Sequence, residues 1–313
     1  MKQGSRILFV LFSLLLVFGV AGCTTAPGAD QKSQQEQETG YPVELTDDTG
    51  KQVKIKEEPQ RIVSLIPSMT ETVYALERGD RVVGVTTNDD YPKEVKKVEK
   101  VGDMNVDAEK VVSLKPDLVL ASSSMNKDSV KKLRKLGLTV LAYDPKNLKS
   151  VFQQTRDVGK AVGAKEEADR LIDKMKKEKE MAEKVASKVP DQEKAQVWVE
   201  VSPDLFTAGN NTFMNELITL AGGKNVSVKV DGWGQVSSEK VVKWNPEVIL
   251  YTHPEKKKTI ASRSGWDEIR AVKEDRIQQL DANIVNRPGP RITQGLLQIC
   301  KAIYPEEYAH VVK

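Results

Sequence analysis

The sequence predicts an α/β protein in which two mostly parallel α/β lobes are joined by a single long helix, with a ligand cleft between the lobes. Three features of the 313-residue chain support this fold class. The segment 165–189 contains neither glycine nor proline, short strands alternate with helices on both sides of it, and one helix–turn–strand element occurs twice. Alternating strands and helices are typical of a parallel sheet that is covered on both faces.

The composition is that of a globular protein that is long enough for two domains. Hydrophobic residues make up 39% of the chain and charged residues 30%, and the net charge is only +3. No block of like charge marks a nucleic-acid surface, so we expect no nucleic-acid partner.

Residues 1–22 are predicted to be a lipoprotein signal peptide. Lys2 and Arg6 give a positive start, Ile7 to Ala21 carry no charge, and small residues precede Cys23. This uncharged run is shorter than a typical membrane-spanning helix and is typical of an export signal. The ending V-A-G-C resembles the bacterial lipobox, which implies cleavage before Cys23 and a lipid on its sulfur; the alternative is a plain secretory signal. We therefore expect a protein that is lipid-anchored to the cell membrane on its extracytoplasmic face.

Residues 23–40 comprise the lipidated cysteine and a polar, Gln/Glu-rich segment that we expect to be a flexible tether. The only other cysteine is Cys300. If Cys23 carries lipid, Cys300 has no disulfide partner, and its helical context predicts a buried apolar side chain.

Residues 41–163 are predicted to form the N-terminal α/β lobe. Two alternating runs around Asp47–Gly50 predict a hairpin. The D-T-G at 48–50 matches an aspartic-protease loop, but that chemistry needs two copies and the chain has one, so we interpret it as a turn. Strands are predicted at 61–66, 81–86, 117–121 and 138–142, and helices at 67–75, 107–115 and 129–136.

Residues 164–190 are predicted to form the interlobe helix. Apolar side chains recur at steps of three, four and seven, and Pro190 ends the segment. The apolar stripe consists of Ala168, Leu171, Ile172, Met175, Ala182, Val185 and Val189. An ordinary long surface helix is the alternative; the position between two similar patterns favours a strut between lobes.

Residues 191–313 are predicted to form the C-terminal α/β lobe. Its strands are predicted at 196–201, 248–251 and 276–280, and its helices at 212–220 and 292–302, the second being the last helix of the chain.

An internal repeat relates the two lobes. E-K-V-V-S-L-K-P-D-L-V-L from Glu109 aligns without a gap with E-K-V-V-K-W-N-P-E-V-I-L from Glu239. A capping residue, Asp107 or Ser237, stands two places before each glutamate. A capped helix that ends in proline is common, so chance is the alternative to two related halves.

A cleft between two lobes is a usual place for a small ligand. The candidate loops are 67–70, with Pro67, Ser68 and Met69, then 231–235 and 286–291. Trp233, between two glycines, suits a flat ligand, and Arg287 suits an anionic group. The alternatives are a tryptophan that caps its own lobe and a surface arginine.

The sequence gives no positive sign of an enzyme or of a metal site. The two histidines lack metal-ligand spacing, and no nucleophile elbow, Walker loop or dinucleotide-binding glycine motif is present. We expect no catalytic residues, no resident cofactor and no metal.

Several motifs in a fixed order carry a family resemblance. They are the lipobox, the polar tether, the DDTG hairpin, RIVSLIPSMTE, DDYP, VEKVGDMNVDAEKVVSLKPDLVLA, NELITLAGGKNV, DGWGQVSSEKVV and NRPGPR. From about Tyr41 to the last helix the chain resembles the helical-backbone class of ABC-transporter substrate-binding proteins, which bind corrinoids, ferric siderophores or haem. The resemblance implies a monomeric binding protein that delivers its ligand to a permease dimer with cytoplasmic ATPases.

Within that class the chain is most similar to the cobalamin-binding members. This likeness implies that Ser68, Trp233 and Arg287 contact the ligand. It also implies that Glu109 and Glu239 are lobe-tip carboxylates that pair with permease arginines. The alternative is that the two acids only favour the first turn of their helices.

The chain departs from the cobalamin-binding pattern at several cleft positions. Asn88, Ser122 and the Asp103-Met104 region stand where that pattern has Tyr or Trp, and an acidic contact near Asn283 is absent. Arg287 and Arg291 keep an anionic ferric siderophore, or haem, as the alternative to cobalamin.

Overall fold

A computed structural model describes residues 40–312. The predicted signal peptide, Cys23 and nearly all of the tether lie outside the described residues. The strands are β1 (Val43–Thr46), β2 (Gln52–Ile55), β3 (Ile62–Ser64), β4 (Val82–Val85), β5 (Glu99–Lys100), β6 (Leu118–Ser122), β7 (Val140–Tyr143), β8 (Gln196–Glu200), β9 (Phe206–Ala208), β10 (Lys224–Asn225), β11 (Trp233–Gln235), β12 (Val248–Tyr251) and β13 (Ile277–Gln279). The α-helices are α1 (Pro67–Ala75), α2 (Ala108–Ser113), α3 (Lys127–Lys135), α4 (Leu148–Ala161), α5 (Lys165–Ala186), α6 (Phe213–Leu220), α7 (Ser238–Trp244), α8 (Lys257–Ala261), α9 (Arg270–Lys273), α10 (Ala282–Val285), α11 (Ile292–Ile303) and α12 (Pro305–Val311).

The chain begins its ordered part with the predicted hairpin. Strands β1 and β2 pair antiparallel, with Val43 opposite Ile55. The Asp47 carboxylate is buried and accepts hydrogen bonds from the backbone N–H groups of Thr49 and Ala142, at 3.0 and 2.9 Å. Asp47 therefore fixes the turn and attaches the hairpin to β7.

The N-terminal sheet has the strand order β5-β4-β3-β6-β7 and is parallel throughout. Successive residues of β6 enter different hydrophobic clusters: Leu118 and Leu120 pack on one face, and Val119 and Ala121 on the other. A parallel sheet buried on both faces needs such continuous apolar strands.

The C-terminal sheet repeats this arrangement with the order β10-β8-β12-β13, again parallel. Val248 and Leu250 of β12 pack on one face, and Ile249 and Tyr251 on the other. Strand β12 lies beside the first strand of its sheet, β8, as β6 lies beside β3. The repeated sequence element therefore occupies equivalent places in two related sheets, and the predicted fold class is confirmed.

Helix α5 connects the two hydrophobic cores. It has 22 residues and ends at Ala186, before the predicted limit. Near its start Ala168 packs in the N-terminal core, and farther along Met175, Ala182 and Val185 pack in the C-terminal core. The apolar stripe thus packs in the N-terminal core near the start of α5 and in the C-terminal core farther along.

Helix α4 is an element that the sequence interpretation missed. Its first turn, with Leu148 and Val151, packs in the C-terminal core, whereas Val158 and Ala161 pack in the N-terminal core. At Gly159 an added Cβ would lie 2.5 Å from the Ala168 Cβ, so glycine allows α4 to approach α5 closely. The lobes are consequently joined by a packed helix pair.

The prediction that the helix at 292–302 is the last one was wrong. Helix α12 follows it after Tyr304, and Pro305 occupies the first turn, where the missing N–H of proline costs no hydrogen bond. No helix among residues 40–312 is long and apolar enough to cross a membrane.

Candidate functional site

A cleft of about 550 Å³ lies between the two sheets. Its N-terminal wall is formed by the residues that follow β3, β4, β6 and β7, and Val201, which follows β8, belongs to the opposite wall. The carboxyl ends of parallel strands are the usual ligand-binding edge of α/β sheets. The volume falls in the range of small-molecule sites, roughly 300 to 1,000 Å³.

The loop at the start of α1 meets the cleft in part. Pro67 and Ser68 line it, because Pro67 takes the first helical position directly after β3 and a short turn. Met69 is only 1% exposed and packs in the N-terminal core, so its side chain does not line the cleft.

Trp233 lies on the opposite wall, within a strand rather than in the predicted loop. It begins β11, which pairs antiparallel with β9, and its ring packs against Phe213 at a centroid distance of 5.4 Å. The side chain remains 37% exposed. Met104 and Met125 of the N-terminal lobe also line the cleft and are 50% and 55% exposed. Large apolar side chains that stay this exposed mark a binding surface.

Amide side chains provide much of the polar lining, and sequence reasoning placed only some of them at the cleft. They are Asn88, Asn126, Gln154, Asn283 and Asn286. Asn126 is satisfied internally, since it accepts from the Ser122 backbone N–H at 2.9 Å. Among the described residues, Gln154 Nε2 and Asn286 Oδ1 are buried without a hydrogen-bond partner. Buried polar atoms of this kind are costly unless something satisfies them.

The cleft contains two positively charged side chains among the described residues, Lys146 and Arg287, and both pair with carboxylates. Lys146 pairs with Asp144. Arg287 Nη1 lies 3.0 Å from Glu71 Oε1 and 2.6 Å from Asp90 Oδ1. The guanidinium that the sequence suggested as an anion contact is therefore held by two carboxylates of the other lobe.

Arg291 belongs to the same ion-pair cluster. Its Nε and Nη2 donate to the two oxygens of Glu71 at 2.8 and 2.7 Å, and its guanidinium carbon lies 4.0 Å from the centre of the Tyr91 ring. Glu71 itself is 2% exposed. A buried carboxylate is tolerated only when it is paired, as here.

Glu109 and Glu239 occupy matched, exposed positions at the starts of α2 and α7. The predicted capping residues are confirmed: Asp107 accepts from the N–H groups of Glu109 and Lys110, and Ser237 from that of Lys240. The Ser237 hydroxyl also lowers the pKa of Glu239 by hydrogen bonding to its carboxylate. Neither glutamate carboxylate forms an ion pair with any residue between 40 and 312. Both are thus free to meet a partner.

A separate polar cluster lies in the C-terminal lobe. His253 Nε2 is 3.3 Å from Glu200 Oε1, and Glu255 lies nearby. The Arg263 guanidinium donates to both oxygens of Glu200 at 2.8 and 2.7 Å and to Glu255 at 2.6 Å. Burial raises the pKa of Glu200, and the guanidinium opposes that rise. Because Arg263 already occupies the carboxylates, we interpret the cluster as structural.

Comparison with known proteins decides the family. The model of the family described as periplasmic binding protein matches residues 62–284, which is most of the chain and includes both sheets. The chain belongs to this family. Its members are substrate-binding proteins of ABC transporters rather than enzymes.

One relative extends along almost the whole sequence. An uncharacterized ABC transporter substrate-binding lipoprotein of Bacillus subtilis, YvrC, is 46% identical over 303 residues, which cover 94% of this chain and 96% of the relative. The chain is therefore the substrate-binding component of an ABC transporter, with a small-molecule ligand and permease and ATPase partners. The lipoprotein naming of this relative implies association with the extracytoplasmic face of a membrane.

Two solved structures share the fold and differ in their named ligands. A possible iron-binding (periplasmic solute-binding) protein of Staphylococcus epidermidis is 37% identical, with a TM-score of 0.68 over 79% of this chain and 100% of that chain. The vitamin B12 binding protein BtuF of Vibrio cholerae is 28% identical, with a TM-score of 0.69 over 78% and 96%. The ligand of this chain must therefore be argued from its own cleft.

Proposed function

We propose that this protein captures a corrinoid, cobalamin, and delivers it to a membrane permease. The observation that carries the proposal is the composition of the cleft: exposed apolar side chains face amide groups, and the cations are already paired. A corrinoid is a broad, flat macrocycle whose edge carries methyl groups and uncharged amides.

The apolar part of the cleft suits the face of such a ring. Trp233 presents an indole that is fixed by Phe213, and Met104 and Met125 provide flexible thioether side chains from the other lobe. Aromatic side chains offer a large contact area, and methionine adapts to irregular surfaces. A flat ligand inserted here would remove all three side chains from water.

The amide part of the cleft suits the ring edge. Gln154 Nε2 can donate a hydrogen bond and Asn286 Oδ1 can accept one, and neither atom has a partner among the described residues. An amide of a corrinoid carries both a carbonyl oxygen and an N–H, so ligand amides can satisfy both buried atoms. A ligand that lacks these groups would leave the two atoms unsatisfied.

The alternative is a ferric siderophore or haem, and the iron-binding name of the Staphylococcus epidermidis relative favours it. Anionic chelates need unpaired cations, whereas Lys146 and Arg287 are both ion-paired. Of the described residues that line the cleft, none is histidine or cysteine, the common iron ligands. Burial strongly raises the pKa of the Tyr143 hydroxyl, which disfavours a phenolate ligand.

Delivery requires a surface that the permease recognises. We assign this role to Glu109 and Glu239, one exposed acid from each of two equivalent helices. Two matched carboxylates can pair with arginines of a two-fold symmetric permease through charge-assisted hydrogen bonds. Lipid on Cys23 would hold the monomeric protein at the membrane where the permease lies.

Equilibrium titration of the full chain in detergent tests the ligand. Tryptophan fluorescence is followed during addition of cyanocobalamin, haem or a panel of ferric siderophores, with corrections for the absorbance of each coloured ligand. We expect saturable quenching at submicromolar cyanocobalamin and none with the iron ligands. Saturation by an iron chelate or haem alone would contradict the corrinoid assignment.

A further inference from the structure

An ion-pair cluster connects the two lobes beside the ligand cleft. Glu71, on α1, and Asp90, after β4, come from the N-terminal lobe, and Arg287 and Arg291 come from the segment before α11. Four contacts of 2.6 to 3.0 Å join these side chains across the lobes. The cluster contains two positive and two negative groups, so it is neutral as a whole.

The cluster borders the cleft and holds the arginine that lines it. Arg287 lines the cleft directly, and its Nη2 also donates to the Asn88 backbone carbonyl at 3.3 Å. One oxygen of Glu71 accepts from Arg287 Nη1, and both of its oxygens accept from Arg291. Asp90 accepts the second hydrogen bond from Arg287 Nη1. The two carboxylates therefore occupy Nη1 of Arg287 and reduce the attraction of its guanidinium for an incoming anion.

Three of the four side chains in the cluster are largely buried. The side chains of Arg287 and Arg291 are only 16% and 14% exposed, and that of Glu71 is 1% exposed. Asn283 Nδ2 adds a further interlobe bond to Asp90 Oδ2 at 2.8 Å. Because Glu71 is buried, its pairs with the two arginines are screened little by salt, whereas the Arg287–Asp90 pair is half-exposed on the Asp90 side.

We propose that Glu71 and Asp90 are specificity-determining residues that mask Arg287 and thereby exclude anionic ligands from the cleft. This inference rests on the proposed function, in which the ligand is an uncharged, amide-bearing corrinoid. It assigns to the two acids a role in selection: they reject ligands that bear carboxylates in place of amides.

A matched pair of corrinoids tests the inference on the full chain. Dicyanocobinamide and dicyanocobyrinic acid share the macrocycle, but the second carries carboxylates where the first carries amides. We expect the wild-type chain to bind the amide form at least tenfold more tightly. In Asp90→Asn and in Glu71→Gln we expect this preference to fall at least tenfold through tighter binding of the carboxylate form.

Glu58→Gln is the control for these variants. Glu58 pairs with Arg81 at 2.6 Å outside the cleft, so its loss frees an arginine that no ligand reaches, and the preference should not change. Asp90 has a half-exposed side chain, so Asp90→Asn remains informative if Glu71→Gln does not fold. An unchanged preference in Asp90→Asn would overturn the inference.

A titration with inorganic diphosphate separates this inference from the proposed function. We expect saturable binding by the Glu71→Gln/Asp90→Asn double variant, and by Asp90→Asn more weakly, with at least tenfold lower affinity in the wild type. Equal diphosphate affinities would overturn the masking role whatever the ligand is. Failure of the wild type to bind either corrinoid would overturn the proposed function instead.

Discussion

At the scale of single residues, Trp233 contributes the largest apolar surface that the C-terminal lobe presents to the cleft. Its backbone is fixed in β11 and its ring packs against Phe213, yet the side chain stays 37% exposed. Such an aromatic loses little conformational freedom when a ligand covers it. The residue is therefore accessible from the cleft and contributes little to the core.

We therefore predict that Trp233→Ala weakens cyanocobalamin binding more than tenfold, whereas Trp233→Phe loses less because it keeps an aromatic face. Isothermal titration calorimetry of the full chain measures both affinities. A circular dichroism melt serves as the control, since neither substitution removes a buried core side chain. An unchanged affinity in Trp233→Ala would remove this residue from the site.

Cleft residues could be predicted from the sequence only where their neighbours along the chain are distinctive. Trp233 was found because an aromatic between two glycines is unusual. Met104 was indicated only by the family resemblance. Met125 and Gln154 went unnoticed because nothing in their neighbours distinguishes them from surface or helix residues. The ion-pair partners of Arg287 could not be predicted from the sequence either. Glu71 and Asp90 precede it by about two thirds of the chain and contact it only after both lobes fold.

At the scale of elements, α5 stabilises the fold through one apolar face that serves two cores. Met175 is fully buried in the C-terminal cluster, whereas Lys177 points to solvent. Large-to-small substitutions at such buried sites lower the free energy of unfolding by about 2 to 5 kcal/mol. Substitutions at exposed helix positions usually change it by no more than about 0.5 kcal/mol.

We expect Met175→Ala to lower the free energy of unfolding by about 3 kcal/mol, as measured by urea denaturation followed by circular dichroism. Lys177→Ala is the matched control on the same helix and should change stability little. Equal effects of the two substitutions would show that the buried face of α5 does not stabilise the fold.

Helix α4 depends on a carboxylate from the other lobe. Glu216, on α6, accepts a hydrogen bond at 2.6 Å from the backbone N–H of Leu148, the first residue of α4. Burial raises the pKa of Glu216 above its ordinary value of 4.5, and this backbone bond opposes the rise. The folded protein thus favours the protonated form more than the unfolded chain does.

The contribution of Glu216 to stability is therefore complete below pH 4.5 and is lost as the pH rises through the higher folded-state pKa. We predict that the unfolding free energy of the wild type, minus that of Glu216→Gln, falls between pH 4.5 and pH 7. Urea denaturation at a series of pH values measures this difference. A difference that rises with pH would contradict the assigned direction.

Most elements were predictable because their apolar periodicity and their caps are local. The repeated helix–strand unit carried a proline, a capping residue and a run of four apolar side chains, and both copies occur where expected. Helix α4 was missed although Leu148, Val151, Val158 and Ala161 follow a helical period. Its glycine, threonine and valine residues lower helix propensity, and packing against α5 outweighs that tendency.

At the scale of the whole molecule, the two lobes carry exposed glutamates at equivalent places. Glu109 and Glu239 begin equivalent helices, are exposed and lie outside the cleft. We predict that the Glu109→Ala/Glu239→Ala double variant binds cyanocobalamin like the wild type but no longer supports its uptake. Cells that carry the variant in place of the native gene provide the assay, with radiolabelled cyanocobalamin.

Glu57→Ala/Glu306→Ala is the charge-matched control for uptake, because these two acids are exposed, one in each half of the chain. It should import cyanocobalamin normally. Normal import by the Glu109/Glu239 double variant would show that the permease recognises another surface, without affecting the assignment of the ligand.

A crystal structure of the protein grown with cyanocobalamin would show whether and where the corrinoid binds. We expect the corrin ring in the interlobe cleft, with one face on Trp233 and the other toward Met104 and Met125. We also expect hydrogen bonds from ligand amides to Gln154 and Asn286. A cleft that stays empty at saturating cyanocobalamin, or a corrinoid bound elsewhere on the chain, would contradict the proposed function.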